Sequence, residues 1–188
     1  MLDNNGLQRG SIEYVEILAE VFAEIVRKTV KSTDDTKRTA DVTPALMECL
    51  HYVFLHGPSG VGRIAGGLSI SVPAASQLVE RLVRRGLATR QDSDKDRRTA
   101  RVELTDAGRE RVTQAREERE RWFRNIWEKL PSDSRTRLVE CFEEFISVAL
   151  TTEQDVDKAC VKCGIEHLAF CVLNKAHVAA TGEPVESY

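Results

Sequence analysis

Apolar positions along the chain recur at helical spacing for most of its length and switch only once, briefly, to alternation. Ser11 can cap a helix running to about Lys31. Its apolar residues Ile12, Val15, Leu18, Phe22, Ile25 and Val26 recur every three or four positions and mark one buried stripe. Ile17 and Val21 widen that stripe, which predicts burial against more than one neighbour. Residues 31–42 lack apolar periodicity and read as a polar connector. Thr43-Pro44 pairs an N-cap residue with a proline at the first helical position. Ala45, Leu46, Cys49, Leu50, Val53 and Phe54 follow at helical spacing as far as the Gly57-Pro58 stop. Ser59 is predicted to cap a short helix to about Gly66. Ser71 opens a longer one, with Ala75, Leu78, Val79 and Leu82 on one face, ending at Gly86.

The period then changes. Leu87–Gln91 and Ala100–Leu104 are short and alternating, and a charged turn, Asp92–Thr99, lies between them. This predicts a β-hairpin with a basic tip. Helical spacing returns at Thr105, which caps a helix from Asp106 to about Lys129. The middle of that helix, Gln114–Arg124, is mostly charged, so it needs a partner along Val112, Ala115, Trp122, Phe123, Ile126 and Trp127. Ser132 is predicted to cap a further helix through about Leu150, with Leu138, Val139, Phe142, Phe145, Ile146 and Ala149 as its apolar face. Residues 151–158 read as a polar break before the tail. The fold class is therefore mainly α with a small β-hairpin wing: a winged helix-turn-helix flanked by further helices. The predicted organisation is an N-terminal helix and connector (1–42), the winged lobe (43–110), two C-terminal helices (111–150) and a Cys/His-containing tail (151–188); the resemblance set out below implies that the flanking helices form a dimerisation region and that the lobe binds DNA.

Composition sharpens this picture. The 188 residues are 41% hydrophobic and 30% charged, which suits a soluble globular chain rather than a disordered one. Aromatics at 6%, with eleven glycines and five prolines, disfavour a turn-rich β-sandwich. No apolar run approaches the ~18 residues of a membrane span. Met1–Asn5 lacks the basic and apolar regions of a secretory signal, so a cytoplasmic setting is expected. In that setting five cysteines point to metal or redox chemistry more than to disulfides. The net charge of −3 conceals an asymmetry: Gly57–Arg111 holds eleven Lys/Arg against seven Asp/Glu, and the acidic excess lies elsewhere. Such a basic segment is either a salt-bridged surface or the footprint of an anionic partner such as nucleic acid.

The chemistry of the segment suits duplex DNA. A helix beginning at Ser71 can set its first turns against base edges in the major groove. Ser71, Ser76 and Gln77 offer hydrogen bonds, Pro73 and Ala74 offer apolar contact to thymine methyls, and the amides at Val72 can meet a phosphate. Arg81, Arg84 and Arg85 carry positive charge further along the helix. Arg97 and Arg98 in the wing can reach phosphates or a narrow minor groove. Asp94 and Asp96 would hold the wing in shape by pairing with neighbouring arginines or amides.

These residues also carry a resemblance. Ile64–Ser71, Leu78–Leu87, the wing Asp94-Lys95-Asp96-Arg97-Arg98 and Leu104-Thr105-Asp106-Ala107-Gly108 occur in the order found in the MarR family of bacterial transcriptional regulators. Thr43–Arg109 resembles that family's DNA-binding core, and the likeness extends over about residues 12–150. It implies a homodimer with interlocking terminal helices and two winged lobes on a pseudo-palindromic double-stranded operator. It also implies repression or activation relieved by a small-molecule effector or an oxidant, with no membrane partner. The recognition role falls on Ser71–Arg85 and the wing role on Asp94–Arg98. An effector pocket is expected between the lobe and the dimer helices. Gly66-Gly67 departs from the pattern and predicts a frayed helix end, and the tail beyond about 155 lies outside it.

Two motifs remain. Gly57-Pro58-Ser59-Gly60-Val61-Gly62-Arg63-Ile64 approaches a P-loop but places Arg63 and Ile64 where lysine and a Mg²⁺-binding hydroxyl are needed. The glycines are more simply a helix stop and turn. In the tail, Cys160, Cys163, His167 and Cys171 have the spacing C-x₂-C-x₃-H-x₃-C, with Gly164 behind the second cysteine. A knuckle plus two ligands one helical turn apart can close a tetrahedron of three sulfurs and one nitrogen, which suits zinc; an iron–sulfur cluster is the competitor. The bland alternative is an unbroken helix with apolar cysteines, in which Cys160 and Cys171 would stand ~16 Å apart, too far for one metal. Thiol redox sensing without metal is a further alternative. Cys49 and Cys141 sit on apolar helix faces and are expected in the core. His51 and His56 are assigned no ligand. No nucleophile–base pair is placed for catalysis, so the expectation is a non-enzymatic, sequence-specific DNA-binding repressor modulated by ligand, metal or redox state. The alternative is a metal- or cluster-binding interaction protein whose winged helix does not read DNA.

Overall fold

The computed structural model describes residues 8–32, 42–93, 96–163 and 171–182. Of residues 28–32, 92, 93, 96–100, 153, 154, 157, 161, 162, 180 and 181 it describes the backbone alone. The capping residues work as their chemistry requires. Tyr14 N–H donates to the Ser11 hydroxyl at the start of α1 (Ile12–Ser32), 3.3 Å away. The Thr43 hydroxyl accepts from Leu46 N–H at the head of α2 (Pro44–His56), and Pro44 sits where its missing N–H is not needed. β1 (Ser59–Gly60) leads into α3 (Val61–Leu68). Ser71 caps α4 (Val72–Arg84) by accepting from Ala74 N–H.

β2 (Ala88–Ser93) and β3 (Asp96–Leu104) form the wing, and β1 pairs on the other side of β3 to give an antiparallel sheet of order β1-β3-β2. Val102 sits at the centre, opposite Arg90 on one side and Ser59 on the other, and is fully buried. Thr105 caps α5 (Asp106–Lys129), accepting from Gly108 N–H at 3.1 Å. α6 (Ser132–Ala149) follows α5, and Arg135 ties the turn between them by donating to the Leu130 and Glu128 carbonyls at 2.9 and 3.0 Å. α7 (Glu153–Cys163) and α8 (Val172–Thr181) complete the described chain.

The main core is that of the lobe. Leu46, Cys49 and Leu50 from α2, Ile64 from α3, Ala75, Val79 and Leu82 from α4, Val102 from β3 and Val112 from α5 are buried together. Removing such side chains from water contributes about 1.5–3 kcal/mol for each Leu, Ile or Val. Burial, with Glu48 next, pushes the Cys49 thiol up to about 11, so it acts as a small apolar residue. A smaller cluster joins Val156 and Cys160 of α7 to Leu173 and Ala176 of α8, against Ile146 and Leu150.

Several expectations are corrected. Ser59 caps nothing: it lies in β1, its hydroxyl donates to the Gly57 carbonyl at 3.1 Å, and α3 starts two residues later. The hairpin strands run further than alternation predicts, because a two-stranded ribbon leaving the core keeps its ladder without an apolar face; Ser93 pairs with Asp96. Arg97 and Arg98 thus belong to β3 rather than to a turn. Ser132 is the first helical residue of α6, with Pro131 at the N-cap and no side-chain cap. The polar break at 151–158 shrinks, as Glu153 already opens α7. Cys141 is exposed on α6 rather than buried. Gly67 is not a fraying defect. Its missing side chain admits the buried Tyr52 ring, which would lie 2.0 Å from a Cβ placed there.

Candidate nucleic-acid interface

α4 has two faces set by its sequence. Ala75, Val79 and Leu82 anchor it in the core, and the opposite side carries exposed Pro73, Gln77, Arg81 and Arg84, which recur every three or four residues. Ala74 and Ser76 flank that stripe half-buried. Ser71 is exposed; its oxygen is engaged by Ala74 N–H, and its own proton is left to donate outward. Val72, 54% exposed at the mouth of the helix, is an apolar contact that pattern reading passes over, because it considers only the amide there.

The turn before α4 is a tight one. Ser69 adopts a left-handed conformation at φ 56, and the Ser69 and Ile70 N–H groups close on the Gly66 and Ala65 carbonyls. This brings α3 and α4 together as a helix-turn-helix. At the far end of α4, Arg81, Arg84 and Arg85 line a groove of about 440 Å³ with Thr43 and Leu46. The groove gathers positive charge beside the first turn of α2, whose N–H groups and dipole also favour an anion.

The wing stands beside this face. Arg97 and Arg98 lie in β3 by backbone, as does Asp96; their side chains, and Asp94 altogether, fall outside the described residues. Exposed Arg90 on β2 and Arg101 on β3 add to the basic surface, a contribution that strand alternation leaves unnoticed.

A second feature lies between the lobe and the long helices. Pro44, Met47, Glu48 and His51 from α2 face Val112, Ala115, Arg116 and Arg119 from α5 across a cavity of about 330 Å³. Arg116 rests over the Phe54 ring, 5.5 Å from its centroid. Burial first, then the positive Arg119 and Arg116 and the neighbouring His56, hold the His51 imidazole below its ordinary pKa, so it stays neutral near pH 7. Sequence spacing assigns His51 no role because its neighbours come from a helix more than sixty positions along the chain.

The helices outside the lobe leave an apolar surface open. Ile12, Leu18 and Phe22 of α1, Phe123 and Trp127 of α5, and Val139, Phe142, Phe145 and Val148 of α6 are all exposed, Phe145 by 68%. Phe22 and Phe142 join α1 to α6, ring centroids 5.5 Å apart. The near-P-loop proves structural: Gly60 is the N-cap of α3 and Ile64 is fully buried, so no metal-binding hydroxyl position exists. Of the tail set, Cys160 is buried, Cys163 and Cys171 are half-buried, and His167 lies outside the described residues. Among the described residues no helix is long and apolar enough to cross a membrane.

This arrangement is that of the MarR-type winged helix. Residues 40–99 match the MarR family. Among solved structures, a MarR family protein from Bacillus stearothermophilus is similar at 17% identity, covering 76% of this chain and 98% of that one with a TM-score of 0.64. A MarR-like transcriptional regulator from Thermotoga maritima is similar at 26% identity, covering 72% and 95% with a TM-score of 0.58. MepR from Staphylococcus aureus, a transcription regulator of the multidrug efflux pump MepA, is similar at 19% identity, covering 70% and 97% with a TM-score of 0.59. No curated protein matches the chain.

Proposed function

We propose that this chain is a sequence-specific double-stranded DNA-binding transcriptional regulator, without enzymatic activity, acting as a homodimeric repressor whose affinity falls when a small molecule occupies the α2–α5 cavity. The observation that carries the reading is the exposed stripe Pro73, Gln77, Arg81 and Arg84 on a helix held rigid by its other face. Its first two turns offer apolar and amide contacts to base edges, and its last turn offers charge to phosphates. Arg97 and Arg98 on the adjoining wing extend the same footprint.

Two such lobes are needed to read a pseudo-palindrome, with half-sites about one helical turn (~34–36 Å) apart. The open apolar surface on α1, α5 and α6 supports pairing, since monomers rarely leave contiguous apolar patches of that kind in water. The cavity joins α2 of the lobe to α5 of the frame, so an occupant would alter the spacing of the two lobes. Its lining of Met47, Val112 and Ala115 with Arg116 and Arg119 suits an amphipathic anion. A mutant of S. aureus MepR has been solved bound to an oligodeoxyribonucleotide, and MepR bound to ethidium bromide; both are in line with a DNA reader that takes small molecules.

Selection of duplexes from a random library, followed by fluorescence anisotropy on the enriched site, tests the proposal. A two-fold-symmetric consensus bound far more tightly than scrambled duplex is expected. Equal affinity for consensus and scrambled DNA at physiological salt would remove sequence-specific reading.

A further inference from the structure

The first two turns of α4 carry no charged side chain. From Ile64 to Val79 the chain holds no Asp, Glu, Lys, Arg or His; Arg63 on α3 and Glu80 on α4 bound the stretch. Its polar side chains are Ser69, Ser71, Ser76 and Gln77. The Ser71 oxygen is held by Ala74 N–H, and Ser76 is half-buried. Gln77 is exposed, one turn beyond Pro73 on the same stripe. The mouth of the helix is otherwise apolar. Ile70 and Val72 flank the Ser71 cap and are 37% and 54% exposed, with Pro73 exposed beside them. Ala75, Val79 and Leu82 anchor α4 in the core, which leaves Val72 largely outside it.

This choice of side chains decides which base pairs the helix can select. Guanine is read chiefly by Arg or Lys on O6 and N7, and cytosine by a carboxylate accepting from N4. The first two turns of α4 offer neither. Arg81 stands more than two turns beyond Val72, about 14 Å further along the axis, past the N-terminal turns that meet base edges. Arg63 belongs to α3, the helix that crosses the backbone in this motif. Gln, in contrast, pairs with adenine through N6 and N7, and an exposed apolar side chain packs on the thymine methyl. These are the two halves of one A·T pair.

We infer that each operator half-site has an A·T core, an inference that rests on the DNA-reading function proposed above. Gln77 selects an adenine, and Val72, with Ile70 and Pro73 beside it, takes thymine C5-methyl groups. Contact with a methyl removes from water the apolar surface that Val72 exposes in the free chain. Val72 is then a specificity-determining residue, and the methyl itself is the group recognised.

The full chain, with duplexes selected from a random library, gives the test. A consensus with adjacent A·T pairs at the core of each half-site is expected. Replacing one thymine at a time by uracil removes the methyl and keeps the base pair. At fixed salt, each contacted methyl should then cost about fourfold in Kd. Val72→Ser, at an exposed position where a small polar residue suits a helix start, should lose that sensitivity at one thymine or more. Because the uracil measurement uses the unmodified chain, it decides even if the variant does not fold. A consensus with a G·C core, an affinity indifferent to uracil at every position, or undiminished uracil costs in a folded Val72→Ser chain would each overturn the inference while leaving sequence-specific reading intact. The absence of any consensus would remove that reading itself, and the inference with it.

Discussion

Gly108 lies directly beneath the Leu87 carbonyl: a Cβ on Gly108 would stand 2.0 Å from that oxygen. This close approach is the centre of a small knot. Thr105 N–H donates to the same Leu87 carbonyl at 3.1 Å, the Thr105 hydroxyl donates to the Gly86 carbonyl at 2.7 Å, and Gly108 N–H donates back to Thr105 Oγ1. The knot fixes where α5 leaves the wing, and hence how the lobe sits on the long helices. Gly108→Ala should destabilise by about 1–3 kcal/mol or more, because the obstacle is backbone and cannot rotate away. Gly66→Ala, on α3 with open space around it, should instead stabilise by about 0.5–1 kcal/mol. Chemical denaturation of both variants checks the pair, and a neutral Gly108→Ala would contradict the close approach.

The same knot shows what pattern can and cannot reveal. The Thr105 cap, the Ser71 cap and the Thr43-Pro44 start are local chemistry, and each marks a helix start in the structure. The wing's existence was legible from one change of period, but its length was not, since the outer ladder has no apolar face to show in sequence. β1 was hidden because its Ser59-Gly60 pairing depends on β3 over forty residues away. The recognition stripe was readable from spacing along one helix. The cavity was not, because Met47 and His51 meet Arg116 and Arg119 only through tertiary packing.

Charge and base contacts on the interface should separate by salt dependence. Arg84→Ala removes an exposed guanidinium from the Arg81–Arg85 groove. It should weaken binding to all duplexes alike and reduce the slope of log K against log salt by about 0.9 for each phosphate that is no longer neutralised. Arg97→Ala and Arg98→Ala should behave in the same way if the wing lies on the backbone or minor groove. Gln77→Ala should leave the slope unchanged and relax preference at one operator position, at about 1–3 kcal/mol. A salt titration of anisotropy with matched and mismatched duplexes reads both quantities. An unchanged operator profile for Gln77→Ala would take that residue out of base reading.

The apolar surface on α6 gives a prediction on assembly. Phe145 is 68% exposed and Val148 is 73% exposed in the single chain, which no aqueous helix face gains from. Phe145→Asp should place a charge in the pairing surface and shift the chain towards monomer by light scattering, with helix content retained. Operator affinity should fall with it, because each lobe then binds its half-site alone. A dimer of unchanged stability would move the interface elsewhere on α1 and α5.

His51 supplies a dependence on pH whose direction follows from its surroundings. Burial, Arg119, Arg116 and His56 all disfavour its protonated form in the folded chain, so its folded pKa lies below the unfolded value of about 6.5. Between those two values the unfolded chain binds more protons, and stability rises with pH. The neutral imidazole's share of stability is therefore complete above the unfolded pKa. It declines as pH falls through that value and is fully lost below the folded pKa. His51→Gln cannot titrate and should flatten this part of the curve while leaving the carboxylate-driven loss at lower pH in place. Denaturation midpoints of the two chains between about pH 8 and pH 5 provide the comparison, since the unfolded reference sits inside that window. Parallel curves would mean that His51 titrates alike in both states, and that the cationic wall of the cavity does not act on it. Convergence of the curves when an anionic ligand is added would indicate that its charge offsets Arg116 and Arg119 at the imidazole.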